Sequence, residues 1–169
     1  MVWFKKDLRT RDHAPLLSAS LSGSPVICLF ILEPERLELD DIDPIHVQWE
    51  LDCATDLSVA LKALGADLHF AVGDAVSVME DFDKRYGIGR LLSHEETGNS
   101  WSFQRDKRVL SWCRNKGIEW AEYPHNGVVR RLGSRDEWKR GRDKRMKEPL
   151  SDAPFFSEGI QFGGEIPQL

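Results

Sequence analysis

The spacing of apolar and polar residues alternates between strand-like and helix-like segments over the first 123 residues. Short apolar runs predict five strands, at residues 1–4, 26–32, 67–72, 90–93 and 118–123. The run at 26–32 is apolar at every position, which is typical of a parallel strand buried on both faces. Because helical segments separate these runs, we predict an α/β fold built on an open parallel sheet with right-handed crossovers.

Capping residues and helical periodicity predict the four helices between the strands. They cover roughly residues 13–21, 44–64, 74–86 and 100–116. Asp12 is the predicted N-cap of the first helix, and Asn99 or Ser100 is that of the fourth. Asp43-Pro44 is a strong start for the second helix. Its predicted inward residues are Ile45, Trp49, Cys53, Leu57, Leu61 and Leu64.

The alternating pattern stops after Tyr123. The sequence predicts a short extended segment at 128–132 and a charged helix at 134–147. Ser134 and Glu137 in that helix have the spacing of a capping box. We therefore divide the chain into an α/β domain at 1–132 and a charged helix with inter-domain linker at 133–169. Four apolar residues in this tail follow no period and are expected to pack against a partner: Phe155, Phe156, Ile160 and Phe162.

Composition excludes several classes of protein. Hydrophobic residues make up 41% and charged residues 30% of the chain, as in an ordinary globular domain. No apolar run is long enough for a membrane helix and no signal peptide is evident, so we expect a cytoplasmic protein without a membrane partner. The distant Cys28, Cys53 and Cys113 argue against a disulfide framework or a zinc site and favour free buried thiols.

Positive charge is concentrated in one segment. Residues 130–148 contain nine Lys and Arg against four Asp and Glu, whereas the rest of the chain contains 14 basic and 24 acidic residues. Such a segment can contact an acidic partner such as DNA phosphates. We favour the alternative of a solvated helix near the linker.

Ligands of an open parallel sheet bind beyond the carboxyl ends of the strands, near the point where strand order reverses. This rule nominates the polar loops at 5–11, 33–43, 73–74 and 94–99. The first loop holds four cations with Asp7 and Asp12, which suits either an anion site or an internal ion-pair cluster. The loop at 94–99 holds His and Glu side chains, but a contiguous set rarely gives tetrahedral metal geometry, so hydrogen bonding or helix capping is favoured.

Nucleotide-binding and hydrolase motifs are absent. There is no G-x-G-x-x-G after the first strand, no phosphate-binding loop of the G-x-x-x-x-G-K-[ST] type and no G-x-S-x-G. His46 and Trp49 begin a helix beside the second loop and could face a flat ligand, although we place Trp49 in the core and leave only His46 open to a ligand. The residues thus indicate a small-molecule crevice without a catalytic constellation.

Two segments resemble a known family. Residues 3–16, W-F-K-K-D-L-R-T-R-D-H-A-P-L, resemble the W-F-R-R-D-L-R-x-x-D-N-x-x-L opening of DNA photolyases and cryptochromes. Residues 94–132, including H-E-E-T-G-N-S-W and N-G-V-V-R-R-L, are similar to a bacterial photolyase-related branch. The resemblance extends from residue 2 to about 150 and identifies the N-terminal, antenna-type domain of this family.

The resemblance implies a three-layer, Rossmann-like open sheet of five parallel strands with helices on both faces. In many members this domain holds an antenna chromophore, a folate, a deazaflavin or FMN. The chromophore passes excitation to FAD in a C-terminal helical domain, which repairs damaged DNA. We expect that domain to lie outside these 169 residues and therefore expect no catalysis, and no metal, in this chain alone. The partners implied are the FAD-binding domain and, for the full-length protein, damaged DNA.

Two other functions are compatible with parts of this pattern. One is the N-terminal domain of a cryptochrome-type blue-light receptor without repair activity, which this stretch of sequence does not separate from a photolyase. The other is an unrelated nucleotide-binding α/β domain, against which the opening motif argues.

The resemblance also places an antenna pocket between the opening loop and the loops after the second and fourth strands. The candidate cofactor-binding residues are Lys6, Asp7, Arg9, Leu32, Glu33, His46, Glu96 and Asn99. The family's folate pattern has Asn-Glu ahead of Arg-Asp, whereas this chain has Trp101-Ser102 ahead of Arg105-Asp106. That departure favours FMN or deazaflavin over folate, or an empty pocket that Trp101 blocks.

Overall fold

The computed structural model describes residues 1–125, 127–130 and 133–157. Its five strands are β1 (Val2–Phe4), β2 (Cys28–Leu32), β3 (Leu68–Val72), β4 (Arg90–His94) and β5 (Glu119–Tyr123). They form one all-parallel sheet in the order β3-β2-β1-β4-β5, in which Val2 lies between Cys28 and Leu92. The predicted open parallel α/β sheet is confirmed.

Within the described residues, six helices connect and flank the strands. They are α1 (Ala14–Ser20), α2 (Pro34–Leu37), α3 (Pro44–Ala63), α4 (Ala75–Tyr86), α5 (Ser100–Lys116) and α6 (Arg135–Arg145). The side chains of Asp43 and Asn99 accept backbone N–H groups at the starts of α3 and α5, as predicted. The short α2 had no sequence prediction. Among the described residues, no helix combines the length and apolar character needed to span a bilayer.

His13, rather than Asp12, caps α1. The His13 Nδ1 accepts the Leu16 backbone N–H at 3.1 Å. The predicted Asp12 cap is wrong because Asp12 has a left-handed backbone with φ of 50°, whereas an N-cap residue typically has extended dihedrals. The Asp12 N–H instead donates to the Ser151 carbonyl at 2.8 Å.

The sheet separates two apolar cores. One lies under α1 and α3 and includes Phe4, Phe30 and Leu51. The other lies under α4 and α5 and includes Trp3 and Trp112. The helices therefore cover both faces of the sheet, as the three-layer prediction requires.

The buried stripe of α3 differs from the predicted one at the start of the helix. Its buried residues are Val47, Leu51, Ala54, Leu57 and Leu61. Leu57 and Leu61 were predicted correctly, but Ile45 and Trp49 are both exposed. The prediction was wrong there because α3 begins beyond the carboxyl ends of the strands, where an inward-facing side chain has no sheet to cover.

The chain after α6 returns to the α/β domain. Phe156 lies in the first core with 5% exposure, and its N–H donates to the Leu64 carbonyl at 2.7 Å. Gly65 has φ of +87°, and the Phe156 carbonyl oxygen lies where a Cβ on residue 65 would have to fit. No residue of α6 is buried. Residues 128–130 contain no strand, and the predictions for Arg131, Leu132, Ile160 and Phe162 lie outside the described residues.

Candidate functional site

The loops after β1, β2 and β4 and the first turns of α3 enclose a cavity of about 650 Å³. It lies at the carboxyl edge of the sheet, beside the point where β1 and β4 are neighbours and the strand order reverses. The structure brings six of the eight candidate residues to its wall: Lys6, Asp7, Arg9, His46, Glu96 and Asn99. Leu32 lies in the core and Glu33 in a buried ion-pair network, both outside this wall.

Two tryptophans line the same cavity. Trp49 is 70% exposed and projects from α3 beside His46 and Cys53, so its predicted core position is wrong. Trp101, on the first turn of α5, also lines the cavity without filling the space. The cavity position of Trp49 could have been predicted from the sequence. Trp49 lies one turn after His46, and Asp43-Pro44 begins this helix at the edge of the sheet where ligands bind.

Asp7 is buried and faces two imidazoles. Its Oδ2 lies 2.6 Å from His94 Nδ1 and 2.8 Å from His13 Nε2, and its Oδ1 accepts the Lys5 N–H at 2.8 Å. Burial raises the Asp7 pKa, but the contacts with His13 and His94 outweigh burial and hold that pKa well below its ordinary value. Asp7 thus lies at the cavity wall as an ionised carboxylate that is already engaged. Sequence reasoning did not anticipate the role of His13.

The ligand atoms of Asp7, His13 and His94 lie within 4.8 Å of one another, a grouping that could hold a metal ion. The helix cap argues against that use. Because His13 Nδ1 accepts the Leu16 N–H, the proton of the neutral imidazole must be on Nε2, the nitrogen that faces Asp7. A nitrogen that bears a proton cannot be a metal ligand, so this donor set fits a hydrogen-bonded carboxylate better than a metal centre.

Arg9 connects this cluster to the loop after β5. Its guanidinium contacts His125 Nε2 at 3.0 Å and donates to the Asp12 carbonyl at 2.9 Å. The His125 ring stacks on His94 with centroids 5.1 Å apart. Burial lowers the pKa of both His94 and His125, so both rings are neutral at physiological pH. Arg9 is therefore held at the edge of the cavity by neutral acceptors.

Arg105 organises a buried ion-pair network behind the cavity. It contacts Glu33 at 2.9 Å, Glu96 at 2.5 Å and Asp106 at 2.9 Å, and its guanidinium stacks on the Trp3 ring. Burial raises the pKa of Glu96, but Arg105 outweighs burial and holds that pKa below its ordinary value. For Glu33, burial prevails over Arg105 and the pKa is raised. Arg105 and Asp106 are thus engaged inside the protein rather than free to hold a ligand.

The sequence matches one protein family over most of its length. A sequence model of the family described as DNA photolyase matches residues 1–152. The chain is 30% identical over 135 residues to a (6-4)DNA photolyase of Oryza sativa subsp. japonica. The aligned region covers 70% of this chain and 24% of that protein. It is 28% identical over 112 residues to a Cryptochrome DASH of Gloeobacter violaceus, covering 63% of this chain and 22% of that protein.

Solved structures agree with the fold. An archaeal photolyase of Sulfolobus tokodaii, described with two FAD molecules and the implication of a novel light-harvesting cofactor, superposes with a TM-score of 0.75 at 20% identity. The match covers 94% of this chain and 37% of that one. The chain spans about a quarter of the length of the two curated relatives named above.

Proposed function

The chain belongs to the DNA photolyase family, and we propose that it is the family's light-harvesting domain, which binds a planar, flavin-type chromophore in the cavity at the sheet edge. In this proposal the chromophore passes its excitation to FAD in a C-terminal helical domain of the same protein, and the complete protein repairs damaged DNA. The observation that supports the proposal most strongly is a cavity of about 650 Å³ walled by Trp49 and Trp101.

The dimensions and walls of the cavity fit such a ligand. Pockets for drug-sized ligands range over about 300–1,000 Å³, and a tricyclic ring system with a short side chain falls within that range. An indole offers a flat apolar surface for stacking against a planar ring. Trp49 lines the cavity and is 70% exposed.

The chromophore would supply absorption in the visible or near-ultraviolet range, and the protein would supply only its position. The buried Asp7 and Arg105 networks fix the neighbouring loops after β1 and β4, which both line the cavity. Asn99 Nδ2 donates to Asp41 Oδ2 at 2.9 Å and so ties the start of α5 to the loop after α2. These contacts fix the wall residues in place without a ligand, which favours a preformed site.

Folate fits the residues less well than a flavin does. The Arg-Asp pair that accompanies folate binding in the family is Arg105-Asp106 here, and both side chains are engaged in the internal network. The Sulfolobus tokodaii photolyase, whose description reports two FAD molecules and a novel light-harvesting cofactor, supports a flavin as the type of ligand. FMN and deazaflavin are therefore the first compounds to test.

A binding experiment with a tryptophan control tests the proposal. The 169-residue chain is titrated with FMN, deazaflavin and folate by calorimetry, and FMN or deazaflavin is expected to bind. Loss of a base-stacking aromatic typically costs about 1–3 kcal/mol, so Trp49→Ala should weaken binding roughly 5–150-fold. Trp138→Ala removes an indole on α6, outside the cavity, and should leave binding unchanged. Absence of binding by all three compounds would refute the proposal.

A second candidate is the N-terminal domain of a cryptochrome-type photoreceptor without repair activity. Its support is the similarity to Cryptochrome DASH, which is close to the similarity to the photolyase of rice. The two functions share this domain, so a repair assay decides between them. A full-length protein that restores ultraviolet-damaged DNA under blue light would favour the photolyase.

A further inference from the structure

The contact between His125, in the loop after β5, and Arg9, in the loop after β1, depends on the protonation state of the histidine. His125 Nε2 lies 3.0 Å from Arg9 Nη1. An arginine guanidinium has only N–H donors, so His125 Nε2 must be the acceptor and the proton of the neutral ring lies on Nδ1. Protonation of His125 would set an N–H group and a positive charge against Arg9. The contact therefore exists only with the neutral ring.

His94, which stacks on the His125 ring, responds differently to a proton. The centroids of the two rings are 5.1 Å apart. His94 Nδ1 lies 2.6 Å from Asp7 Oδ2, so a proton added at Nε2 leaves this contact in place and strengthens it. His94 can thus take up a proton without losing its partner, whereas His125 cannot.

The surroundings of His125 favour the neutral ring. Burial lowers the pKa of His125 below its ordinary value of about 6.5. The charged and titratable groups around the ring are Asp7 and Arg9 in the loop after β1, His94 at the end of β4, Arg145 in α6 and, next to His94, His13. The Asp7 carboxylate favours a charged ring, and the cations Arg9 and Arg145 oppose one. The contact with Arg9 is therefore fully present above about pH 6.5 and weakens as the pH falls from there through the lowered pKa.

The attachment of α6 depends on the same loop. No residue of α6 is buried. Within the described residues, the hydrogen bonds from α6 to the rest of the domain go to two carbonyls of this loop. Trp138 Nε1 donates to the Gly127 carbonyl at 2.8 Å, and the Arg145 guanidinium donates to the Pro124 carbonyl. His125 lies between these two acceptors in the sequence.

We propose that His125 is a proton-controlled latch: protonation of its ring breaks the contact with Arg9 and releases α6 from the α/β domain. At neutral pH the ring accepts from Arg9, and α6 is docked on the loop. In acid the two cations repel each other, and the carbonyls that hold Trp138 and Arg145 move with the loop. Arg130 donates to the Glu96 carbonyl at 2.6 Å and holds the far end of the loop, so the release is local.

Nuclear magnetic resonance spectra of the 169-residue chain between about pH 8 and about pH 5 test the inference. The Trp138 indole N–H reports the docked state, and its resonance should move toward the position of a solvent-exposed indole as the pH falls. Uptake of one proton lowers the docking equilibrium constant by up to about tenfold for each pH unit below about 6.5. His125→Gln keeps a neutral oxygen that can accept from Arg9, so Trp138 should stay docked throughout. His46→Gln, the same change at an exposed histidine on α3, should titrate like the wild type.

The Trp112 indole N–H is the internal reference, because it donates to Glu80 and joins α5 to α4 on the other face of the sheet. Its resonance should keep its position throughout the titration. A Trp138 resonance that keeps its docked position in acid, or that moves equally in His125→Gln, would overturn the latch. Movement of Trp112 together with Trp138 would show loss of the whole fold instead of release of α6, and would overturn it as well.

Discussion

Replacing Asp7 by Asn removes the carboxylate that fixes the loop after β1. Its Oδ1 accepts the Lys5 N–H, and its Oδ2 faces the N–H groups of His13 and His94. An amide has a single oxygen, so in either orientation its NH₂ group must face at least one of these donors. One buried donor left unsatisfied costs about 1–3 kcal/mol, and the lost charge-assisted contacts add to that. We expect Asp7→Asn to lower the free energy of unfolding by about 3 kcal/mol.

The loss should be visible in both denaturant and thermal unfolding. For a chain of this length, about 3 kcal/mol corresponds to a fall in Tm of roughly 6–12 °C. Asp152→Asn removes an exposed carboxylate whose partner is the exposed Arg11, and it should change the free energy of unfolding by less than about 0.5 kcal/mol.

The effect of Asp7→Asn should also depend on pH. The Asp7 pKa is lower in the folded than in the unfolded protein, so ionised Asp7 stabilises the fold above the unfolded pKa of about 3.9. That stabilisation is lost as the pH falls from there through the folded pKa. The difference between wild type and Asp7→Asn should therefore stay constant above about pH 5 and narrow as the pH falls below about 4. A variant as stable as wild type, or a difference that pH does not change, would refute the reasoning.

Two further predictions concern the return of the chain over the α1 and α3 face. Gly65→Ala should cost about 2–4 kcal/mol of unfolding free energy in urea denaturation, because a Cβ would meet the Phe156 carbonyl oxygen and the backbone has positive φ. Gly23→Ala, which has a similar φ and open space, should cost only about 1–2 kcal/mol. Phe156→Ala should cost about 3–5 kcal/mol by the same measurement, whereas Phe155→Ala, 72% exposed, should cost less than about 0.5 kcal/mol. Equal effects within either pair would show that this segment does not pack as described.

The order of strands and helices was predictable because the sequence patterns that specify each element are local. Continuously apolar strands such as β2 and side-chain caps such as Asp43 depend on neighbouring residues alone. The cap of α1 was not predictable in this way. Asp12 is the better N-cap by residue type, but its backbone is left-handed and its N–H donates to the carbonyl of Ser151. Because Ser151 is distant in sequence, local patterns do not reveal this contact.

The location of the candidate site was also predictable, because ligands of an open parallel sheet bind beyond the carboxyl ends of its strands. The contribution of Trp49 to the cavity wall was not predictable from helical periodicity. At the start of α3, Ile45 and Trp49 form one apolar stripe and Val47 and Leu51 another. Periodicity cannot decide which stripe faces the core, because that depends on where the helix begins relative to the sheet. The contact of Phe156 with the core likewise joins residues too far apart for periodicity to link.

The central claim, a flavin-type ligand in the cavity beside Trp49, is tested most directly by mapping where FMN touches the protein. In a nuclear magnetic resonance titration of the 169-residue chain, the account predicts shifts for the Trp49 indole N–H and for the amides of Lys6, Glu96 and Asn99. The indole N–H resonance of Trp138, on α6, should not shift. Shifts confined to residues outside the cavity wall, or no shifts at saturating FMN, would contradict the account.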